Sequence, residues 1–411
     1  MYAWKFGYEF TYSEMWQAIA LSLAKVGAFG GMAMFALSLI LSGRYKFYEQ
    51  LFGGLDKMYV AHRFLGTTSV FLLFLHPVAL SLLVQESGFN QILKLWLGLT
   101  SLGVLLGVLA LYSLIGLVIW SVFARYKYET FIKVHRFLGV AFILGALHAF
   151  MSGSILSTNP FMYTYMFTLS AAGVITFIIY SLLGDMLHQP LKYRLIEAKS
   201  LPNNITELIL EPVSRIINYA PGQFVYIAFE GLDEHGYHPF SISSDKRSSK
   251  LKLAIRTTGD FTKQLDSLPR GTIANVKGPY GGFILRPSTR KQLWIAGGIG
   301  VTPFISGALS LEFTTRFKHG DIEMIYATND NKAYGSELLQ RIEETNDIFN
   351  VTLFPQDDFG YVSFSQLSEH IKDLEERDIY ICGPPNMLNS LVKEAEKLGL
   401  QNQLKYEEFD Y

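Results

Sequence analysis

The chain has 411 residues, half of them apolar and only 17% charged, against about 25% charged in an ordinary soluble protein. The first 190 residues hold only 11 of the 35 Lys and Arg and 7 of the 36 Asp and Glu, which excludes a wholly soluble enzyme and a disordered chain. A net charge of −1 without a basic stripe gives no nucleic-acid partner, and the single cysteine, Cys382, allows neither an intrachain disulfide nor a Cys-rich metal site.

In chain order, five apolar stretches near 15–41, 63–84, 95–123, 133–151 and 160–184 reach the ~20 residues that a ~30 Å hydrocarbon core requires. The first is too long for a signal-peptide core and lacks a small-residue cleavage pattern, so it reads as a span. Segments 42–62 and 124–133 carry Arg44, Lys46, Lys57, Arg125, Lys127 and Lys133, whereas 85–94 and 152–159 carry only Lys94. The positive-inside rule then predicts cytoplasmic basic loops, and a cytoplasmic location for everything after residue 185.

His62 and His76 share one predicted span and His135 and His148 another, 14 and 13 residues apart, or roughly 20 Å of helix rise. Both spans run in the same direction, which puts His62 level with His135 and His76 level with His148. Two facing imidazoles can fill both axial positions of a haem iron, so the pairs predict two stacked haems with these four metal ligands. The bland alternative has each histidine buried against a backbone carbonyl. Fourteen residues return an ideal helix to within about 40° of its starting face, but thirteen leave it about 140° away. The second helix must therefore tilt, kink or carry a wide turn, for which Gly139 and Gly145 leave room. Lys25, buried near the level of the outer pair, either meets a haem propionate or small anion there or snorkels to the surface. Phe71 and Phe142 fall between the two levels, where packing is the favoured role over an electron bridge.

Beyond Leu187 short strands are expected at Leu208–Leu210, Phe224–Phe229, Leu251–Ile255 and Ile273–Val276, forming a small barrel. From about 291 the strands Leu293–Ala296, Ile322–Ala327, Val351–Phe354 and Ile379–Cys382 alternate with helices Pro303–Arg316, Ser336–Glu344, Phe364–Leu374 and Asn386–Leu398. That alternation predicts a parallel sheet covered by helices. His238, Pro239, Phe240, Ser241, Ile242 and Ser243 read as a loop offering backbone donors and a hydroxyl to a flavin ring. Arg256, Gly259 and Thr262 combine a guanidinium, a glycine turn and a hydroxyl suited to a pyrophosphate. Gly297, Gly298 and Gly300 lie between a strand and a helix, where glycines let the backbone approach a dinucleotide. Thr302 is expected to cap that helix and Pro303 to fill its first turn. Cys382, Gly383 and Pro384 put a small side chain and a glycine turn at another strand end, where a nicotinamide can slide against the flavin.

Together these residues resemble the NADPH oxidase/ferric reductase superfamily, especially its compact bacterial NADPH-oxidase-like enzymes. The resemblance covers nearly the whole chain: the paired histidines, His-Pro-Phe-Ser, Lys277-Gly278-Pro279-Tyr280-Gly281, Gly-Gly-Ile-Gly-Val-Thr-Pro and Cys-Gly-Pro-Pro. It implies an α-helical transmembrane haem bundle over 1–189 followed by a ferredoxin-reductase-like module. That module comprises an antiparallel β-barrel FAD domain over 190–287, with Gly278 and Gly281 among its cofactor contacts, and an α/β NAD(P)H-binding domain over 288–411. It implies a multi-pass cell-membrane enzyme in which electrons pass from NAD(P)H to FAD, then through an inner and an outer haem b to dioxygen, yielding superoxide. A terminal aromatic stacking on the flavin is implied too, with Phe409 the candidate ahead of Tyr411, and Lys25, Cys382 and Phe409 are the residues expected nearest the chemistry. The family usually has six spans against the five found here, and no EF-hand loop is present. Tyr326–Asp330 contains no arginine for a 2′-phosphate, so NADH use beside NADPH is expected. No activating protein is required, because every redox station is on one chain. The rivals are a ferric-chelate reductase with the same wiring, a haem subunit serving a partner protein or quinone, and a proton- or ion-moving transporter, against which the nucleotide motifs argue.

Overall fold

The computed structural model describes residues 12–123, 128–152, 159–184, 189–232, 236–285, 288, 290–311, 321–328 and 333–407. The chain divides into two compact units, one of Met1–Tyr48 and Lys57–His188, the other of Glu49–Asp56 and Gln189–Tyr411.

The first unit is helical, built on α1 (Tyr12–Ser42), α2 (Lys46–Phe52), α3 (Leu55–Val84), α4 (Phe89–Trp96), α5 (Leu102–Phe123), α6 (Tyr128–His135), α7 (Leu138–Met151) and α8 (Pro160–Thr176), except that the end of α2 from Glu49 and the start of α3 to Asp56 belong to the second unit. Among the described residues five helical segments are long and apolar enough to cross a membrane: Met15–Ser42, Lys57–Val84, Leu102–Ser121, Thr130–Met151 and Pro160–Leu182. The expected third span began at 95, but α4 ends at Trp96 and the chain restarts at Leu102. Gly98, at φ +71°, terminates α4 in the left-handed region, and Ser101 Oγ accepts the N–H of Val104 to start α5. The bundle core joins Met32, Phe35 and Ala36 of α1 to Leu114 of α5, Ala141 and Phe142 of α7 and Met166 of α8.

The angular conflict between His135 and His148 is resolved by a break. Helix α6 stops at His135, and Arg136 and Phe137 form a turn before α7. There Phe137 donates to the Val134 carbonyl and Gly139 to that of Arg136, at i to i+3 spacing. Such tight turns rotate the chain further per residue than the α-helix does.

In the second unit β1 (Leu191–Leu201), β2 (Ile205–Pro212), β3 (Phe224–Phe229), β4 (His238–Ser241), β5 (Leu251–Arg256) and β6 (Ile273–Tyr280) make an antiparallel sheet in the order β4-β3-β6-β1-β2-β5. A bridge between Ile242 and Leu253 brings its two edges together into a half-barrel. Leu195, Ile227, Phe229, Leu253, Ile255 and Val276 fill its interior. Alternation explains the remaining strands: β7 (Gln292–Gly297), β8 (Ile322–Thr328), β9 (Phe349–Pro355), β10 (Asp378–Cys382) and β11 (Leu404–Tyr406) form a parallel sheet ordered β11-β10-β7-β8-β9. Successive residues of β7 face opposite cores, Trp294 with Phe304 and Phe349 on one side, Leu293 and Ile295 with Ile379 and Ile381 on the other. Helices Thr302–Leu309, Ser336–Thr345, Phe364–His370 and Pro385–Lys397 connect the strands. Strands β1, β4 and β11 carried no expectation from the sequence.

Asp373 ties the sheet's lower edge. Its carboxylate takes Arg377 Nε at 2.7 Å and Lys291 Nζ at 2.6 Å, while Arg377 Nη1 reaches the Gln292 carbonyl at 3.1 Å. Burial opposes its ionisation, but the hydrogen bonds from Arg377 and Lys291 prevail and hold its pKa down to about 2. A depressed carboxylate stabilises the fold above its ordinary pKa and loses that contribution as pH falls toward the folded value. The second unit should therefore weaken between about pH 4 and 2. Asp373→Asn should lower its stability at neutral pH by about 1 kcal/mol, after discounting for solvent screening, and flatten that acid limb, as followed by thermal unfolding of the full chain.

Candidate functional site

The four membrane histidines meet in the two expected pairs. His62 and His135 have ring centroids 6.2 Å apart with planes at 64°, and His76 and His148 lie 6.3 Å apart at 59°. His76 Nδ1 bonds the Ala24 carbonyl at 2.9 Å, and His148 Nδ1 bonds that of Gly103 at 2.8 Å with Ser152 Oγ at 3.0 Å. His62 Nδ1 meets the Ser38 carbonyl at 2.9 Å and Ser38 Oγ at 3.0 Å. In each of these rings the hydrogen bond is made by Nδ1, which leaves Nε2 as the nitrogen that a metal would take. His135 differs: its Nδ1 is buried with no hydrogen-bond partner among the described residues, and its ring stacks on Phe131 at 5.1 Å and 25°. Glycine makes these contacts possible. A Cβ on Gly107 would lie 2.7 Å from the His148 ring, and one on Gly27 would lie 2.7 Å from the Leu72 carbonyl and 3.0 Å from His76 N. Lys25 follows Ala24 directly, so it sits at the level of the outer pair, half-buried. Phe142 packs edge-on against Phe35 in the core at 5.1 Å, whereas Phe71 is exposed.

His238–Ser241, expected as a loop, is the edge strand β4, paired only with β3. An edge tolerates Pro239, which has no N–H to give a second neighbour. Phe224 of β3 pairs with both Ser241 and Tyr280, so the His-Pro-Phe-Ser strand and the Gly278–Gly281 turn flank one residue. His238 stacks on Phe261 at 4.0 Å and Phe240 lies 6.2 Å from the same ring, which links this strand to the Arg256 segment. Arg256 ends β5 exposed. Thr262 Oγ1 accepts the N–H groups of Thr258 and Gly259, closing the turn around Gly259. Ser243 is buried and donates to the Lys252 carbonyl at 3.0 Å. Gly281, at φ +105°, donates to Glu49 Oε1 at 2.7 Å within the second unit.

At the nucleotide end, β7 and β10 pair in register Cys382↔Ala296. The chain order reverses between these strands, and open parallel sheets bind ligands beyond the carboxyl ends at such a switch point. Gly297, Gly298 and Gly300 occupy one strand end, Gly383 and Pro384 the other. A Cβ on Gly300 would lie 2.5 Å from the Cys382 carbonyl, and one on Gly297 would meet Met387 and Pro384 at 2.7 and 2.9 Å. The two turns are thus nested backbone to backbone. Thr302 does not cap the helix: it lies inside the first turn and its hydroxyl donates to the Ile299 carbonyl at 3.1 Å. The backbone enters that helix through a tight turn, Gly298–Val301, which leaves no extended cap position, and Pro303 sits in the first turn as expected. Burial, followed by the charge of Glu407, pushes the Cys382 thiol well above the ordinary range. Phe409 and Tyr411, with Asn329 and Asp330, lie outside the described residues.

Three family models match the chain in sequence: a ferric reductase like transmembrane component at residues 28–146, an FAD-binding domain at 191–281 and an oxidoreductase NAD-binding domain at 294–393. Ferric reduction oxidase 5 of Arabidopsis thaliana is 27% identical over 62% of this chain and 35% of its own length. Dual oxidase 2 of Rattus norvegicus is 26% identical over 79% of this chain and 22% of its own. The chain belongs to the NADPH oxidase/ferric reductase superfamily. It is a ferric-reductase-like transmembrane oxidoreductase with FAD- and NAD-binding domains, and it spans about a third or less of these two relatives' lengths. The FAD- and haem-bound flavohemoglobin of Malassezia yamatoensis is alike in fold, with a TM-score of 0.51 at 16% identity over 96% of this chain and 97% of that one.

Sequence reasoning missed Ser38, Ser152 and Glu49. Ser152 carried a signal, since it stands four residues after His148 on the same helical face. Ser38 and Glu49 are brought in by packing across long sequence separations and had none.

The single cysteine makes one consequence easy to read. A buried thiol with a raised pKa holds little thiolate, the reactive form. Folded protein at pH 8 should react with iodoacetamide at least about tenfold more slowly than free cysteine, and unfolding in guanidinium should restore the normal rate. Equal rates in both states would place the thiol in the open.

Proposed function

We propose that this superfamily member is a transmembrane NAD(P)H oxidase that carries electrons from NAD(P)H through FAD and two b-type haems to dioxygen, producing superoxide. The observation that carries the reading is the spacing of the two imidazole pairs, 6.2 and 6.3 Å between centroids. A metal–nitrogen bond of about 2 Å puts a ring centre roughly 3.1 Å from the metal, so two imidazoles on one iron have centroids roughly 6.2 Å apart. The donor set fits as well, because three of the four Nδ1 atoms are engaged elsewhere.

When bound, FAD turns a hydride into single electrons and the haems relay them one at a time. His62 and His135 would hold the inner haem, His76 and His148 the outer, and Lys25 lies beside the outer pair. His238, Pro239, Phe240, Ser241 and Ser243, with Arg256, Gly259, Thr262, Gly278 and Gly281, would form the flavin site. Gly297, Gly298, Gly300, Thr302, Pro303, Gly383 and Pro384 would receive the dinucleotide. Cys382, kept neutral by burial, offers a compact wall to the nicotinamide, and Phe409 would stack on the flavin in its absence. None of these side chains has to move a proton. The basic loops support a cell-membrane protein with its reductase half in the cytoplasm, working without an obligatory activating protein. A ferric-chelate reductase is the second reading, favoured by the match of residues 28–146 and by the Arabidopsis relative.

Purified protein should show oxidised flavin and about two low-spin haems per chain, reduced by NADPH when oxygen is excluded. In air, cytochrome c reduction should be sensitive to superoxide dismutase, whereas preferential reduction of ferric chelates would establish the second reading. His76→Ala should lower the haem content to about one per chain and abolish reduction of the external acceptor while NADPH still reduces the flavin. An unchanged external rate would overturn the haem path.

A further inference from the structure

Resting on that haem reading, we infer that the two haem sites are tuned apart by the hydrogen bonds on the far nitrogens of their ligands, giving the inner site the higher midpoint potential and the outer the lower.

Both outer ligands are polarised. His76 Nδ1–H faces the Ala24 carbonyl at 2.9 Å, and His148 Nδ1–H faces the Gly103 carbonyl at 2.8 Å and Ser152 Oγ at 3.0 Å. Only one inner ligand is. His62 has the Ser38 carbonyl at 2.9 Å and Ser38 Oγ at 3.0 Å, while His135 Nδ1 is buried without a partner among the described residues and its ring is held by stacking on Phe131. The two serines play matching parts. Ser38 donates its hydroxyl hydrogen to the His62 carbonyl at 3.3 Å and Ser152 donates its own to the His148 carbonyl at 2.7 Å. That orientation leaves each oxygen's lone pairs toward the adjoining Nδ1–H.

An imidazole whose outer N–H is donated to an acceptor is a more basic ligand, which favours ferric over ferrous iron and lowers the potential. A bare imidazole, as at His135, does the opposite. The outer site is then the stronger one-electron reductant, which suits an acceptor that is hard to reduce by one electron, dioxygen more than a ferric chelate. Arg63 and Arg136, next in sequence to the inner ligands, push in the same direction, and Lys25 beside the outer pair opposes it. The serine variants leave all three cations in place, so their shifts report the hydrogen bonds.

The test is an anaerobic optical redox titration of the full-length protein and of Ser38→Ala and Ser152→Ala. Two midpoints are expected in the parent. Ser38→Ala should raise the upper midpoint and widen the gap, and Ser152→Ala should raise the lower midpoint and narrow it. Ser152→Thr, which keeps the hydroxyl, should restore the parent gap. Two bound haems with coincident midpoints, or serine variants that shift the opposite midpoint or none, would overturn the assignment. Fewer than two low-spin haems per parent chain would instead overturn the haem reading beneath it.

Discussion

The membrane half is organised by the need to satisfy buried imidazoles. A polar N–H left bare in an apolar bundle costs about 1–3 kcal/mol, and side chains able to accept it are scarce here. The solution at the His76–His148 level uses backbone twice over: carbonyls of α1 and α5 that already belong to their own helices accept from His76 and His148. Each of these carbonyls lies one turn before a glycine, Ala24 before Gly27 and Gly103 before Gly107, and those glycines remove the atoms that would hold the helices apart. Close helix approach and imidazole orientation are therefore a single arrangement. At the His62–His135 level the carbonyl and hydroxyl of Ser38 on α1 do the same for His62 on α3, and among the described residues nothing does so for His135 on α6.

The second unit solves a different problem, the close passage of two backbones. Its glycines at β7 and β10 are required less by torsion than by contact, since the Gly300 position faces the Cys382 carbonyl directly. The strand order supplies the rest, because a helix leaves each of the two strand ends on its own side of the sheet, the arrangement at which open parallel sheets bind ligands. Cys382 is small, neutral and buried in that wall, qualities that serve contact better than reactivity.

Much of this was legible from the residues. Period and composition identify the five apolar helices and the parallel sheet, and the histidine spacing pairs His62 with His135 and His76 with His148. What escaped is physical in each case. Strand β4 reads as a loop because Pro239 and the polar ends of His238–Ser241 mask an edge strand, whose partner lies on one side only. Helix α4 merges with the following span because Leu95–Leu105 carries no charge, and it takes Gly98 in a left-handed conformation and the Ser101 hydroxyl at the start of α5 to separate them. Thr302 has the composition of a helix cap, but the preceding turn is already helical and takes its hydroxyl inward. Ser38 and Glu49 act across distances that no local pattern encodes.

The interruption at Arg136 and Phe137 has a bearing on how such bundles are recognised. In an unbroken helix the azimuth of a second ligand is locked to the number of residues after the first, so two ligand helices would need equal intervals. Here a short non-α joint uncouples direction from count, and 13 residues achieve what 14 achieve on the neighbouring helix. A pattern search that insists on matched intervals would pass over this chain, whereas one that lets a joint follow the first ligand would recover it.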